Sequence, residues 1–261
     1  MIVCIDIGNT RIRCALGLGL GTNNNYRQAA VDTCTINDAA SFAAFLQDNF
    51  GDEMQGITGG IYSSVVPHKN NDIVQAIAML NKHVTIHPVN VAQMAVDFSL
   101  YKSVIGEDRA VCSAMAAKKY NTPVIVIDFG TATTINVVNQ DNIYLGGAIL
   151  AGVQTGIDAL AKGTARLPQL DMSGSGLADI KLIGQDTYEC LVSGAVMGAA
   201  FAATGYVQHI KAQFAARAAV PPTIVITGGN AEKVMPHCEF DFTYEPTLLI
   251  EGMFWLYEST Q

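Results

Sequence analysis

The sequence predicts an α/β fold built twice, as two mixed β-sheets each flanked by helices. An apolar strand ending in Asp-x-Gly occurs at Ile2-Val3-Cys4-Ile5-Asp6-Ile7-Gly8-Asn9-Thr10 and again, nearly half the chain later, at Val124-Ile125-Val126-Ile127-Asp128-Phe129-Gly130-Thr131-Ala132. Each copy runs into a second apolar strand, as a β-hairpin does, and helical segments fill the remaining spaces. Half of the 261 residues are hydrophobic and only 15% are charged, so each half has apolar material for a core of its own.

Taken in order, strand 2–7 leads into a second strand from Ile12 to Leu18, and the Asn23-Asn24-Asn25 run reads as a polar loop between strands. Apolar residues spaced three and four apart predict helices over Asp38 to Asn49, Asn71 to Asn81 and Glu107 to Lys119. Asn121-Thr122-Pro123 marks the expected boundary, because Pro disfavours helix at the residue before it. The expected domains are therefore 1–120 and 121–261. In the second half, strands are expected at Thr134 to Val138, around Ile143 to Leu145 and at Ile224 to Thr227, and helices over roughly Asp186 to Ala219 and Leu248 to Glu258. Met172 to Gly176 reads as a flexible connection. Hairpins opening each half make the sheets mixed rather than purely parallel.

Fifteen Lys and Arg against 23 Asp and Glu leave a formal net charge of -8, the wrong sign for a general nucleic-acid binder. The six cysteines, at 4, 14, 34, 112, 190 and 238, form no CxxC pair, which suggests a reduced, cytoplasmic setting. The N-terminus reaches Asp6 without a basic stretch, so it reads as a buried strand and not as a signal peptide. The uncharged run from Leu191 to Val207 is broken by Gly194, Gly198 and Gly205 and reads as a helix-packing face rather than a membrane span. The five histidines form no HExxH pattern, and Gly17-Leu18-Gly19-Leu20-Gly21 leads into no helix and reads as a turn.

Three segments carry chemistry. In Asp6-Ile7-Gly8-Asn9-Thr10, Gly8 permits a close backbone turn, Asn9 and Thr10 offer donors, and Asp6 presents a carboxylate suited to hydrated Mg²⁺. In Asp128-Phe129-Gly130-Thr131-Ala132-Thr133-Thr134, hydroxyls crowd a glycine turn. Ile224-Val225-Ile226-Thr227-Gly228-Gly229-Asn230 is an apolar strand ending in a Gly pair that admits a flat base or ribose. Singly, each is most often an ordinary turn. Together, two such hairpins facing each other across a cleft would hold the phosphates of a nucleotide from both sides.

In order and spacing the three segments resemble the superfamily of acetate and sugar kinases, Hsp70 and actin, whose two ribonuclease-H-like domains close on ATP. Ser63-Ser64-Val65-Val66-Pro67, Gly106-Glu107-Asp108-Arg109, Asp128 to Thr134, Leu145-Gly146-Gly147-Ala148-Ile149, Ala165-Arg166-Leu167-Pro168, Ile183-Gly184-Gln185-Asp186-Thr187 and Leu248-Leu249-Ile250-Glu251-Gly252 fall in the order of type III pantothenate kinases. The resemblance implies phosphorylation of pantothenate by ATP and Mg²⁺, the first step of coenzyme A synthesis, with a monovalent cation such as K⁺ or NH₄⁺ and a cytoplasmic homodimer. It implies that Asp108 accepts the proton of the alcohol and that Arg109 donates to the substrate's polar groups. Asp6, Ile7, Gly8, Asn9, Thr10, Arg11, Ile12 and Arg13 would line the ATP phosphates, with Asp6 reaching Mg²⁺ through water. Thr131, Gly228 and Gly229 would contact ATP, and Asp128 the monovalent cation. Tyr101, Gly106, Glu107, Asp108, Arg109 and Thr187 would line the pantothenate site, Thr187 serving the neighbouring subunit.

Two positions depart from the family pattern. A small residue is usual where this chain has Glu107, and a negative charge there is unfavourable beside an anionic substrate unless it points away. The segment Tyr101-Lys102-Ser103-Val104-Ile105 lacks the family's Asn-Pro after the tyrosine. Two other readings stay open at this point: a kinase of another small alcohol or sugar, and a nucleotide-binding regulator without turnover. Consumption of ATP on addition of pantothenate separates them.

Overall fold

The computed structural model describes residues 1–19, 26–172, 180–217 and 220–260. The expected Asn23–Asn25 loop, Gly21 and most of the Met172–Gly176 connection lie outside the described residues. The chain forms two compact units: the first takes Met1–Ala95, Ser103–Met115 and the segment from Thr247 onward, and the second takes Val96–Lys102 and Ala116–Pro246.

In the first unit, β1 (Ile2–Ile7), β2 (Arg11–Gly17) and β3 (Tyr26–Asp32) form an antiparallel meander. After α1 (Ala39–Phe50), β4 (Gly59–Ser64) returns parallel to β1, and after α2 (Asn70–Leu80), β5 (Ile86–Pro88) pairs with β4. The sheet order is β3-β2-β1-β4-β5. Alternation sends Val3, Ile5 and Ile7 to one face, where they meet Phe42, Leu46, Ile73 and Ile77 of the two helices. Asp38 and Ser41 close a reciprocal capping box at the start of α1, satisfying two backbone donors there. The next helix, α3 (Glu107–Tyr120), opens with Glu107 and Asp108 and closes with Lys118 and Lys119, the charge order that suits a helix dipole.

The second unit repeats the plan. The strands β6 (Val124–Phe129), β7 (Ala132–Val138) and β8 (Tyr144–Ala151) form the meander. They are followed by α4 (Val153–Gly163), α5 (Thr187–Ala216), β9 (Thr223–Thr227), α6 (Ala231–Val234) and β10 (Thr243–Tyr244). The sheet order, β10-β9-β6-β7-β8, is that of the first sheet with β6 and β9 in the places of β1 and β4. Its core joins Ile125, Ile127 and Phe129 to Val153 and Ile157 of α4 and to Val192, Val196, Ala200, Ala203 and Val207 of α5. Helix α5 is long and apolar enough to cross a membrane, and half of its most apolar stretch is buried within the fold.

The final helix, α7 (Leu248–Ser259), belongs to the first unit. A Cβ on Gly252 would lie 2.6 Å from Val111 Cγ1 of α3, so the two helices meet at a position where only hydrogen fits. The contact-defined units thus differ from a single cut after residue 120: the chain returns to its first unit at Thr247, and residues 96–102 count with the second. Helix α4 was not expected. Gly156 and Gly163 weaken its helical pattern, and its buried Val153 and Ile157, four residues apart, are the signal that marks it.

Candidate active site

In the first unit, the β1–β2 turn is closed by the Gly8 N–H donating to Arg11 O at 3.0 Å. A Cβ on Gly8 would sit 2.8 Å from that same carbonyl oxygen, which explains the glycine. Thr33 braces the turn from the end of β3: its Oγ1 donates to Gly8 O at 2.7 Å and its N–H to Thr10 O at 2.9 Å. Asn9 and Thr10 stand exposed at the tip, while Ile7 and Ile12 are fully buried core residues that leave only backbone for a phosphate. Asp6 is buried at the end of β1, where Oδ2 accepts from Arg13 Nη1 at 3.4 Å. Arg11 turns outward to Asp32, also at 3.4 Å.

Beside β1, Ser63 and Ser64 of β4 stand opposite Asp6 and Ile7, and the Val65 N–H donates to Ile7 O at 3.0 Å. The N-terminus of α3 adjoins this strand end. Gly106, Asp108 and Arg109 are part-buried there, with Asp108 Oδ1 accepting from the Arg109 N–H at 2.8 Å. A Cβ on Gly106 would fall 2.6 Å from that oxygen, so glycine lets the carboxylate fold back over its own helix start. Glu107, expected among the substrate contacts, has Oε2 on the Ser64 N–H at 2.8 Å. Burial raises its pKa, with the Asp108 charge adding and the Ser64 hydrogen bond opposing.

In the second unit, the corresponding turn and the Gly pair converge. A Cβ on Gly228, which has φ of 102°, would overlap Asp128 Oδ1 and the Phe129 backbone. Asn230, which motif reading left without a role, locks the arrangement: its N–H donates to Phe129 O at 2.8 Å and its Nδ2 to Gly130 O at 3.3 Å. Thr131 is exposed at the tip, and its carbonyl accepts from the Gly152 N–H at 3.1 Å and from Thr155 Oγ1 at 2.7 Å. The adjacency of Gly228, Gly229 and Asn230 in sequence was the signal that could have found the asparagine. Tyr101 lies edge-on to Tyr144, ring centroids 5.5 Å apart, and Tyr144 Oη donates to Asn136 Oδ1 at 2.9 Å. Thr187 is the exposed first residue of α5, whose N-cap Asp186 accepts from the Glu189 N–H at 2.8 Å.

Residues 2–209 match the family model described as type III pantothenate kinase. The chain belongs to the type III pantothenate kinase family. A type III pantothenate kinase of Rhodococcus opacus is 31% identical over an alignment covering all of this chain and 96% of that protein. One of Thermus thermophilus is 32% identical, covering 97% of each. The family phosphorylates pantothenate in coenzyme A synthesis, and this chain is a kinase that draws on ATP.

Solved structures of more distant sequence share the fold. A protein of Listeria monocytogenes described as an N-acetylmannosamine kinase superposes with a TM-score of 0.54 at 13% identity, covering 99% of both chains. A protein of Campylobacter jejuni described as a Baf family transcriptional activator superposes with a TM-score of 0.56 at 18% identity, covering 99% of this chain and 98% of that one. For this type III pantothenate kinase family member the likeness to both is one of fold, two mixed sheets of the same strand order with flanking helices.

Proposed function

We propose that Asp108 is the proton acceptor when this chain transfers the γ-phosphoryl group of ATP to the primary hydroxyl of pantothenate. The observation that carries this is the first turn of α3, where Gly106 gives the Asp108 carboxylate room and the Arg109 N–H fixes one of its oxygens. As the alcohol oxygen attacks phosphorus, its O–H bond breaks and the proton passes to the other carboxylate oxygen of Asp108. The bond from phosphorus to the ADP oxygen breaks in line, leaving 4′-phosphopantothenate and ADP. Arg109 pairs with the substrate carboxylate.

The turn from Asp6 to Arg13 offers the ATP phosphates its backbone amides and Arg13, and Gly228 and Gly229 leave space for adenosine. Among the described residues no three His, Cys, Asp or Glu side chains cluster as a metal cage. Mg²⁺ would be carried on the ATP phosphates with Asp6 as its outer oxygen partner, since Mg²⁺ is commonly held by one or two carboxylates plus phosphate and water. When bound it offsets phosphate charge. Asp128 and the Gly130 carbonyl supply hard oxygens of the kind K⁺ or NH₄⁺ takes. The cytoplasmic homodimer of the family, with Thr187 reaching the neighbouring subunit's pantothenate, completes the reading.

The test is ATP consumption by the purified protein with and without pantothenate, in K⁺ and in Na⁺, with mass spectrometry of the product. Pantothenate-dependent turnover that is faster in K⁺ supports the reading. Asp108→Asn should keep ATP binding and lose about 10²-fold or more in kcat, the scale of a general base. Near wild-type turnover in that variant removes Asp108 as the base.

A further inference from the structure

We propose that Glu107, beside the base, is a positioning residue that fixes Asp108 against the phosphate turn by holding the open end of β4. The inference rests on the assignment of Asp108 as proton acceptor. Its starting point is a gap in a hydrogen-bond ladder. Strand β4 is paired with β1 on one edge and with β5 on the other. The β5 side of the ladder ends where the Val89 N–H donates to Tyr62 O at 2.8 Å, one residue beyond β5 itself. Donors alternate between the two edges of a strand, so the next N–H on that side is Ser64's.

No strand takes that N–H. Glu107 Oε2 does, at 2.8 Å, from a residue 43 positions away. A backbone donor at a part-buried strand end needs an acceptor, and a carboxylate is a strong one. A side chain too short to reach from α3 would leave this end of β4 without its tie to the helix. Glu107 is half-buried, a costly place for a carboxylate beside Asp108, yet its oxygen is directed at a backbone dipole that offsets part of the cost.

Ser64 is held from its other atoms as well. Its Oγ donates to Asn70 Oδ1 at 2.6 Å and accepts from the Val66 N–H at 3.1 Å, tying the strand end to the start of α2. The following Val65 N–H donates to Ile7 O at 3.0 Å, at the root of the β1–β2 phosphate turn. One short path therefore runs from Ile7 through Val65 and Ser64 to Glu107, whose chain neighbour is Asp108, entirely within the first unit. Releasing the Glu107 link frees the N-terminus of α3 to shift relative to the turn, and in phosphoryl transfer a shift on the order of 1 Å is enough to cost rate.

The test compares Glu107→Ala, Glu107→Asp and Glu107→Gln in steady-state kinetics and in amide hydrogen exchange at Ser64. Gln keeps an acceptor at the same reach, whereas Asp keeps the charge and loses the reach. The expected result is a drop in kcat of about tenfold in the Ala and Asp variants, with KM for pantothenate and for ATP within about threefold of wild type. Ser64 should exchange faster in both, and Gln should restore kcat and protection together. Unchanged kcat in Ala and Asp, a loss confined to KM for pantothenate, or unchanged Ser64 protection each overturns the proposal. Asp108→Asn run alongside separates the two assignments. Retained turnover in that variant removes the base, whereas its inactivity beside active Glu107 variants removes only the positioning role.

Discussion

Glu107 also carries a signature in stability against pH. Its pKa is raised in the folded protein above the ordinary 4.5, first by burial and then by Asp108. Well below pH 4.5 the side chain is neutral folded and unfolded alike, and it behaves as glutamine would. As pH rises through the folded pKa, the carboxylate must ionise in a half-buried place, and the stability it contributed while neutral is lost. Glu107→Gln should therefore match wild type in Tm at the acid end, exceed it by a margin that grows as pH rises from 4.5 to the folded pKa, and keep that margin above it; a constant difference from the acid end upward would count against the shift. The two glycine turns, with Asp6 and Asp128 at their strand ends, were legible in the sequence as local motifs, whereas Asp108 was singled out only by the resemblance to the family, since Gly-Glu-Asp-Arg alone reads as a helix start. The target of Glu107 was not, because its acceptor role depends on a strand end brought alongside it by the fold. Nor did a motif distinguish Ile7 and Ile12, whose place in the β1–β2 turn says nothing of side chains that alternation sends into the core.

At the scale of elements, the strand-turn-strand copies were legible because an apolar run ending in Asp-x-Gly needs no distant partner to declare itself. Helix α4 was obscured by glycines, and β8 runs to Ala151, well past the stretch around Ile143 to Leu145 where its pattern was evident. Between these two elements lies Gly152, where a Cβ would overlap the carbonyl oxygens of Gly130 and Thr131. Both obstacles are backbone, so Ala at this position must push the β6–β7 turn aside. Overpacking of this kind costs about 1–3 kcal/mol. Gly152→Ala should lower Tm by several degrees and raise KM for ATP, because the displaced turn carries Thr131. Gly163→Ala is the control: nothing lies within 4 Å of its Cβ, and it should leave both quantities near wild type. Equal effects from the two substitutions would mean that the close approach at Gly152 carries no special burden.

At the scale of the whole chain, the duplication was readable and the return of α7 was not. No local pattern in that helix names its sheet; the structure assigns it to the first unit, where Phe254 meets Tyr26 of β3 at 5.4 Å between ring centroids and Gly252 fits against Val111. The same lack of a local signal holds for surfaces that meet another chain. In the second unit, the edge strand β8 carries no charge and exposes Leu145 and Ile149, the latter at 62%, while α5 exposes Phe201 at 47% and Tyr206 at 42%. Leu145, Phe201 and Tyr206 share a cavity of about 600 Å³ with His209 and Gln213. An uncharged apolar edge strand left in water invites pairing, and native proteins usually cover or charge such edges. A second copy of the chain is the cover that the proposed homodimer supplies. Light scattering on the purified protein should return twice the chain mass at micromolar concentration, and Phe201→Glu should shift it towards the monomer. If Thr187 serves the neighbouring subunit, that shift should raise KM for pantothenate while ATP binding is kept. A wild-type monomer with full turnover would contradict both the dimer and the shared pocket. A dimer indifferent to Phe201→Glu would move the contact to another face.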